Sequence, residues 1–191
     1  RLAASLAARP GVDDVPRPDD RPPRRAAVAL VLRLGEGDRP ELLFVKRAEF
    51  AGDPWSGQIA FPGGRHEPGD ASLWHTAMRE TWEETGLDLD RDARLLGRLD
   101  ELHPRQPVLP AVVVRPYVAV AAPSGPFALS IEMAAAFWVP IERFAAEGVH
   151  AESEVRVRGT SLRVPSFVHE GHTIWGMTYR ILEDFLARLA S

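Results

Sequence analysis

Most apolar residues of this chain fall in short runs, and two longer stretches have the spacing of a helix. Short runs rich in valine and leucine, bounded by glycine or proline, are typical of β-strands. Apolar side chains that recur every three or four residues predict a helix. We predict strands over 26–34, 41–47, 59–62, 94–99, 111–122 and 134–140, a hairpin over 154–168, a short helix over 141–148 and long helices over 71–85 and 173–190.

The order of these elements predicts an α/β fold. Strands outnumber helices, and the two long helices lie far apart in the sequence. Such helices are best accommodated on the two faces of a mixed sheet. The stretch before the first strand is rich in proline, arginine and aspartate, which cannot bury apolar area. We therefore predict an N-terminal arm over 1–25 and one domain over 26–191.

Composition excludes several classes of protein. The 191 residues are 45% hydrophobic, which is enough for one domain with a core. A net charge of -4 argues against a nucleic-acid partner or an anionic membrane surface. Cysteine is absent, so thiolate metal sites and cysteine nucleophiles are excluded. No apolar run is long enough to span a membrane or to form a signal-peptide core, and we expect a cytoplasmic protein.

The predicted helix over 71–85 contains a cluster of glutamates. Glu80, Glu83 and Glu84 are separated by steps of three and four residues, which place side chains on one helix face. Like charges at this spacing destabilise a helix. A divalent cation would remove the repulsion, and Mg²⁺ prefers carboxylate oxygens together with substrate phosphates. Arg79, four residues before Glu83, is placed to pair with it.

A glycine-rich loop precedes this helix. Gly63, Gly64 and Gly69 lie within seven residues, and glycine lets a backbone approach a ligand closely. A backbone carbonyl of the loop is therefore a candidate to join the carboxylates on a metal ion. The alternative interpretation of the glutamates is a solvated helix face.

The segment from Gly63 to Leu87 resembles the signature of the Nudix hydrolases, G-x5-E-x7-R-E-U-x-E-E-x-G-U, where U is aliphatic. Two positions depart from it. Asp70 stands where the family has glutamate, with eight residues instead of seven before Arg79, and Thr81 replaces an aliphatic residue. The matching positions are Gly64, Arg79, Glu80, Glu83, Glu84, Gly86 and Leu87.

Within that family, the chain is similar to the coenzyme A pyrophosphatase-like proteins. The resemblance rests on the longer spacing, on GQIAFPGG at 57–64 and on WGMTYRIL at 175–182. It covers residues 26 to 189. The segment at 53–56, Asp-Pro-Trp-Ser, departs from the lead-in usual in this subgroup.

The resemblance implies an α/β/α Nudix sandwich and a pyrophosphohydrolase that uses Mg²⁺ or Mn²⁺ on a small nucleotide-derived substrate. Coenzyme A or an acyl-coenzyme A is the expected substrate. The alternative substrates are damaged nucleoside triphosphates, ADP-ribose and dinucleoside polyphosphates. A further alternative is that the chain is a non-catalytic nucleotide-binding module. Glu80, Glu83, Glu84 and the Gly64 carbonyl are the implied metal ligands, and Arg79 and Glu83 belong to the catalytic set.

Several further residues have two interpretations. Glu132 is either a metal-binding or water-activating carboxylate, as the resemblance implies, or an ordinary loop glutamate, with Asp100 and Glu101 as rivals. Arg47 and Arg65, together with Arg105, could grip phosphates or be surface charges. Trp55 could stack on a base or pack under its loop. We expect Trp74 and Trp82 to pack in the core. A homodimer is compatible with the chain.

Overall fold

A mixed seven-stranded sheet forms the centre of the fold, with an antiparallel three-stranded sheet after it. The computed structural model describes residues 24–50, 55–103, 112–122, 125–145, 150–157 and 159–190. The strands are β1 (Arg24–Leu34), β2 (Pro40–Arg47), β3 (Ile59–Ala60), β4 (Gly63–Arg65), β5 (Ala93–Arg98), β6 (Val112–Ala121), β7 (Met133–Pro140), β8 (His150–Val157), β9 (Thr160–His169) and β10 (His172–Trp175). The helices are α1 (Leu73–Thr85), α2 (Leu89–Asp92) and α3 (Gly176–Ala190), with 3-10 turns at Glu36–Asp38 and Ile141–Ala145.

The large sheet has the strand order β3-β2-β1-β6-β5, and β4 and β7 pair with β1 and β2. The central strands β1 and β6 are parallel, and the other pairs are antiparallel. Strands β1 and β2 form an antiparallel hairpin. Strand β1 begins at Arg24, two residues before the predicted domain boundary, and residues 1–23 of the predicted arm lie outside the described part of the chain.

The two faces of β1 separate two cores. Ala27, Ala29 and Val31 are buried with Leu73 and Ala77 of α1. The alternate residues of β1 are buried on the other face with α3, because successive side chains in a strand point to opposite faces. Those residues are Ala26, Leu30 and Leu32, and their α3 partners are Ile181, Leu182 and Phe185. The predicted α/β/α arrangement is thus confirmed.

The C-terminal helix begins later than predicted. His172–Trp175 is a strand that pairs with Ser166–His169, and the helix starts at Gly176. Gly176 has a φ of 67°, which breaks the helical path that the apolar spacing suggested. Ile174 is buried, but from a strand.

The two tryptophans of α1 differ in their surroundings. Trp74 packs against Tyr117, with ring centroids 5.4 Å apart. Trp82 is 53% exposed, so the prediction that it packs in the core was wrong. The helix turns its opposite face inward at that point, where Thr81 and Thr85 are buried. In the described part of the chain, no helix is long and apolar enough to cross a membrane.

Candidate active site

Helix α1 is held at both ends by local capping. Ser72 accepts a hydrogen bond from the backbone N–H of His75 and is the N-cap. Gly86 adopts a left-handed conformation, and its N–H donates to the Trp82 carbonyl. Thr81, the departure from the aliphatic pattern, is fully buried, and its hydroxyl is satisfied by donating to the Ala77 carbonyl one turn back.

Asp70 ties the glycine-rich loop to α1. Its carboxylate accepts hydrogen bonds from Arg79 Nε at 2.9 Å, from the Thr76 hydroxyl at 2.8 Å and from the Glu67 backbone N–H at 3.0 Å. These donors, Arg79 foremost, hold the pKa of Asp70 well below its usual range. Asp70 is therefore engaged in joining the loop to the helix. Sequence reasoning did not assign it this role, because the inserted residue obscured its alignment with Arg79.

Arg79 links three parts of the site. Besides Asp70, its guanidinium lies 3.1 Å from Glu80 Oε1 and donates to Glu83 Oε2 at 2.9 Å. A further N–H donates to the Arg65 carbonyl in β4 at 3.0 Å. The predicted pair between Arg79 and Glu83 is thus present. The positive charge of Arg79, shared by Glu80 and Glu83, offsets much of the repulsion between the glutamates.

Glu84 is the buried member of the cluster. Its residue is 7% exposed, and its Oε2 accepts a hydrogen bond from the Gly63 backbone N–H at 3.0 Å. Burial raises the pKa of Glu84 to about 8, and nearby Glu80 and Glu132 add to the rise. The bond from Gly63 and the charge of Arg47 act in the opposite direction. This carboxylate has too little positive charge around it to be ionised as readily as an ordinary glutamate.

Glu80 lies directly over Gly64. A Cβ added to Gly64 would be 2.4 Å from the Glu80 carboxyl carbon. Position 64 therefore has to lack a side chain for Glu80 to stand where it does. Burial also raises the pKa of Glu80, although Arg79 opposes the rise.

Gly63 is constrained for a different reason. It has a φ of 148°, and an added Cβ would lie 2.3 Å from the Ala27 carbonyl oxygen. This glycine permits the close approach of β4 to β1, and its N–H is the donor to Glu84. Sequence reasoning singled out the glycine loop but did not identify Gly63 as a donor.

Glu132 is brought to α1 by the segment that precedes β7. The backbone N–H groups of Ala128 and Ser130 donate to the carbonyls of Thr85 and Glu84, at 2.9 and 3.2 Å. The chain then reaches Glu132, whose carboxylate lies 4.0 Å from Arg47 Nη2. Glu132 is 63% exposed and contributes to the raised pKa of Glu84. The structure thus places Glu132 and Arg47 beside the glutamate cluster.

The rivals of Glu132 are engaged elsewhere. Glu101 forms ion pairs with Arg25 and Arg115. Asp100 lies 3.0 Å from Arg188 of α3. Neither Glu101 nor Asp100 is among the groups that have the largest effects on the pKa of Glu84.

The proposed substrate contacts are less closely gathered. The Arg65 side chain is exposed, and its backbone carbonyl accepts from Arg79. Trp55 is half-buried in the loop before β3, where its carbonyl accepts from the Gln58 N–H. Arg105 lies outside the described residues.

The donor set suits a hard divalent cation. Glu80, Glu83 and Glu84 supply carboxylate oxygens, the type of ligand that Mg²⁺ takes. A buried Glu84 with a raised pKa and a Gly64 position kept clear for Glu80 fit this use. With the side chains as they stand, however, no three acidic or imidazole groups converge on one point within the described ranges. Arg79 would have to share Glu80 and Glu83 with the ion.

Comparison with known proteins identifies the family. The NUDIX domain matches residues 23–157, more than half of the chain. The chain belongs to the Nudix family. It is thereby a Nudix-type pyrophosphohydrolase, and Nudix hydrolases generally use divalent metal ions such as Mg²⁺ or Mn²⁺ and act on small nucleotide-derived substrates.

Two relatives extend over most of the chain. The human protein named mitochondrial coenzyme A diphosphatase NUDT8 is 33% identical over 173 residues, which are 88% of this chain and 70% of that protein. The Salmonella paratyphi B protein named uncharacterized Nudix hydrolase NudL is 31% identical over 167 residues, 87% of this chain and 83% of that protein. The NUDT8 match, with its mouse counterpart at 30%, confirms the resemblance to the coenzyme A pyrophosphatase-like subgroup.

Solved structures confirm the fold. A MutT/nudix family protein from Enterococcus faecalis has a TM-score of 0.59 at 19% identity, over 93% of this chain and 65% of that one. A NUDIX hydrolase from Alicyclobacillus acidocaldarius has a TM-score of 0.52 at 24% identity, over 64% and 83%. Both share the Nudix architecture with this chain.

Proposed function

We propose that this Nudix hydrolase cleaves the diphosphate bond of coenzyme A or an acyl-coenzyme A. The products are 3′,5′-ADP and 4′-phosphopantetheine or its acyl form. The observation that carries the proposal is the 33% identity to the human coenzyme A diphosphatase over 88% of the chain. The glutamate cluster beside the glycine-rich loop supports it. This cluster would hold a divalent cation, and the cation would supply the positive charge that a diphosphate needs at its oxygens.

Glu80, Glu83 and Glu84, with the Gly64 carbonyl, would hold Mg²⁺ or Mn²⁺. When bound, the metal neutralises charge on the diphosphate and lowers the pKa of water. Arg79 fixes the rotamers of Glu80 and Glu83 through its two ion pairs, while Asp70 fixes Arg79. These contacts limit the orientations of Glu80 and Glu83, and a bound ion would share both carboxylates with Arg79.

Glu132 is the proposed general base. Its exposed carboxylate is able to take a proton from a water that attacks phosphorus. Arg47 lies 4.0 Å from this carboxylate and is placed to orient it. The bond between the attacked phosphorus and the bridging oxygen breaks, and the bridging oxygen leaves with the other phosphate.

Arg47 and Arg65 are the proposed contacts for phosphate groups, and Trp55 is the proposed stacking surface for the adenine base. Arginine matches the geometry of phosphate oxygens. A charge-assisted contact of this kind contributes roughly 1.5–3 kcal/mol. If an arginine binds the 3′-phosphate, dephospho-coenzyme A should react roughly tenfold to a hundredfold more slowly than coenzyme A.

The deciding experiment is a side-by-side comparison of rates with Mg²⁺ and with Mn²⁺. The substrates are coenzyme A, dephospho-coenzyme A, ADP-ribose, a dinucleoside polyphosphate and 8-oxo-dGTP, and the products are identified by chromatography. Release of 3′,5′-ADP from coenzyme A at the highest kcat/KM supports the proposal. A wide margin in favour of ADP-ribose, the dinucleoside polyphosphate or the oxidised nucleotide would retain the Nudix hydrolase and reject its coenzyme A specificity. Absence of turnover on every substrate would favour a binding module.

We further propose one catalytic domain that begins with β1 at Arg24 instead of at the predicted residue 26, preceded by an arm. The substrate is a small molecule, with no nucleic-acid or membrane partner. A cytoplasmic location remains our proposal for this chain, whereas its human relative is named mitochondrial. Fractionation of cells that express the protein from its own gene would test the location.

A further inference from the structure

The outer edge of the three-stranded sheet is the strand β8, which has eight residues. It pairs with β9 along its whole length. In the described ranges, no strand pairs with its other edge. The free edge of a strand carries backbone N–H and C=O groups ready to bond to another strand.

Charged side chains of both signs follow one face of β8. Glu152, Glu154 and Arg156 alternate with half-buried residues, and all three are exposed. Glu154 lies opposite Arg163 in the ladder, yet no ion pair of Glu154 or Arg156 is formed with any side chain in the described part of the chain. Charged side chains, especially lysine, often protect an edge strand from association. This edge has opposite charges two residues apart.

The other face of the same hairpin is apolar near its turn, whereas Ser153 and Ser166 lie farther along it. Val155 pairs with Leu162 across the ladder, and Val157 lies beside them. Leu162 is 37% exposed, and Val155 and Val157 are only half-buried. The hairpin therefore presents apolar area next to its free edge.

We propose that β8 pairs with β8 of a second copy of this chain, antiparallel and centred on Val155. This register places Glu154 of each copy opposite Arg156 of the other. It also places Val155 of one copy opposite Val155 of the other, so that Leu162, Val155 and their equivalents form one apolar row across the two copies, while Val157 faces Ser153. Opposite charges and apolar pairs facing each other stabilise an antiparallel pair.

Charge selects this register over its neighbours. Centring the pair on residue 154 would place Arg156 opposite Glu152 but Glu154 opposite itself. Centring it on residue 156 would do the same for Arg156. Like charges directly opposite destabilise a strand pair. The resulting dimer has a continuous six-stranded sheet and an isologous interface.

Sedimentation velocity of the full chain at low salt over a wide concentration range tests the proposal. Wild type should form dimers. Glu154→Arg and Arg156→Glu should each raise the dimer dissociation constant roughly tenfold or more, because each creates two like-charge pairs per dimer. An equimolar mixture of the two variants should regain wild-type affinity, because every pair between unlike chains is then complementary. The double variant should regain it as well.

Arg94→Glu, on the edge strand β5 of the large sheet, is the matched control and should leave the dissociation constant unchanged. Thermal unfolding followed by circular dichroism shows whether each variant is folded. A wild-type protein that stays monomeric at every concentration overturns the proposal. So does a dimer that both single reversals leave intact, or one that the mixture does not restore, since each result shows that this register is not used.

Discussion

Replacing Glu84 by glutamine should stabilise the metal-free protein. Burial raises the pKa of Glu84 from an ordinary value of 4.5 to about 8. Each pH unit of displacement corresponds to about 1.4 kcal/mol. At pH 7, where an unfolded chain has this group ionised, the cost to the folded state is about 3 kcal/mol. Glutamine retains an oxygen to accept the Gly63 N–H bond, and it carries no charge.

The dependence on pH is the sharper measurement. A carboxyl group whose folded pKa is raised costs nothing well below pH 4.5, and its cost grows as pH rises to about 8. The advantage of Glu84→Gln in free energy of unfolding should therefore grow by about 3 kcal/mol from pH 5 to pH 8. The glutamine amide N–H groups, if left without partners, subtract roughly 1–3 kcal/mol at every pH, which leaves this growth unchanged.

Urea unfolding in the presence of a chelator, followed by tryptophan fluorescence, measures the stability gain of Glu84→Gln and its dependence on pH. Glu83→Gln is the matched control on the same helix. Glu83 is 53% exposed, so its replacement should change stability by less than about 1 kcal/mol. A difference between Glu84→Gln and wild type that stays flat or shrinks with pH would refute the account of a buried, undercompensated carboxylate. With saturating Mg²⁺, the same variant should lose most activity, and near-wild-type turnover would refute its role as a ligand.

The remaining predictions concern the groups around this carboxylate. Glu132→Gln should lower kcat more than it raises KM in steady-state assays, since a general base acts in the transition state, and an effect confined to KM would indicate binding instead. Gly64→Ala should fold normally but displace Glu80 and weaken Mg²⁺ affinity in calorimetry, whereas Gly63→Ala should lose stability in thermal melts because it meets backbone atoms of β1. Asp70→Asn should cost roughly 2–3 kcal/mol at pH 7 in urea unfolding, since Arg79 loses its charged partner. That cost should shrink as pH falls below about 4, where the unfolded-state carboxyl of wild type becomes protonated; equal costs at pH 3 and 7 would contradict the ion pair.

Much of the secondary structure was predictable because it depends on neighbours in the sequence. The limits of α1 follow from Ser72 as a cap, from apolar spacing and from Gly86 as a stop. The pairing of Arg79 with Glu83 follows from the helical repeat alone. The hairpins likewise follow from strand pattern and short turns. These are local effects, and a residue and its partner are separated by only a few positions.

The helix start at Gly176 was not predictable from spacing, since Ile174 satisfies a helical pattern and a buried strand equally well. The pairing of β10 with β9 decided between them. The chemical character of the site was decided in the same way. Nothing near Glu84 in sequence shows that it would be buried against Gly63, or that Glu80 would fill the space left by Gly64. The sequence by itself determined which carboxylates share a helix face. The packing of β4, β7 and their loops against that helix decided that Glu84 is the carboxylate that loses water and that Glu132 stands beside it. Only the tertiary structure decides this, because burial and distance depend on strands brought together from remote parts of the chain.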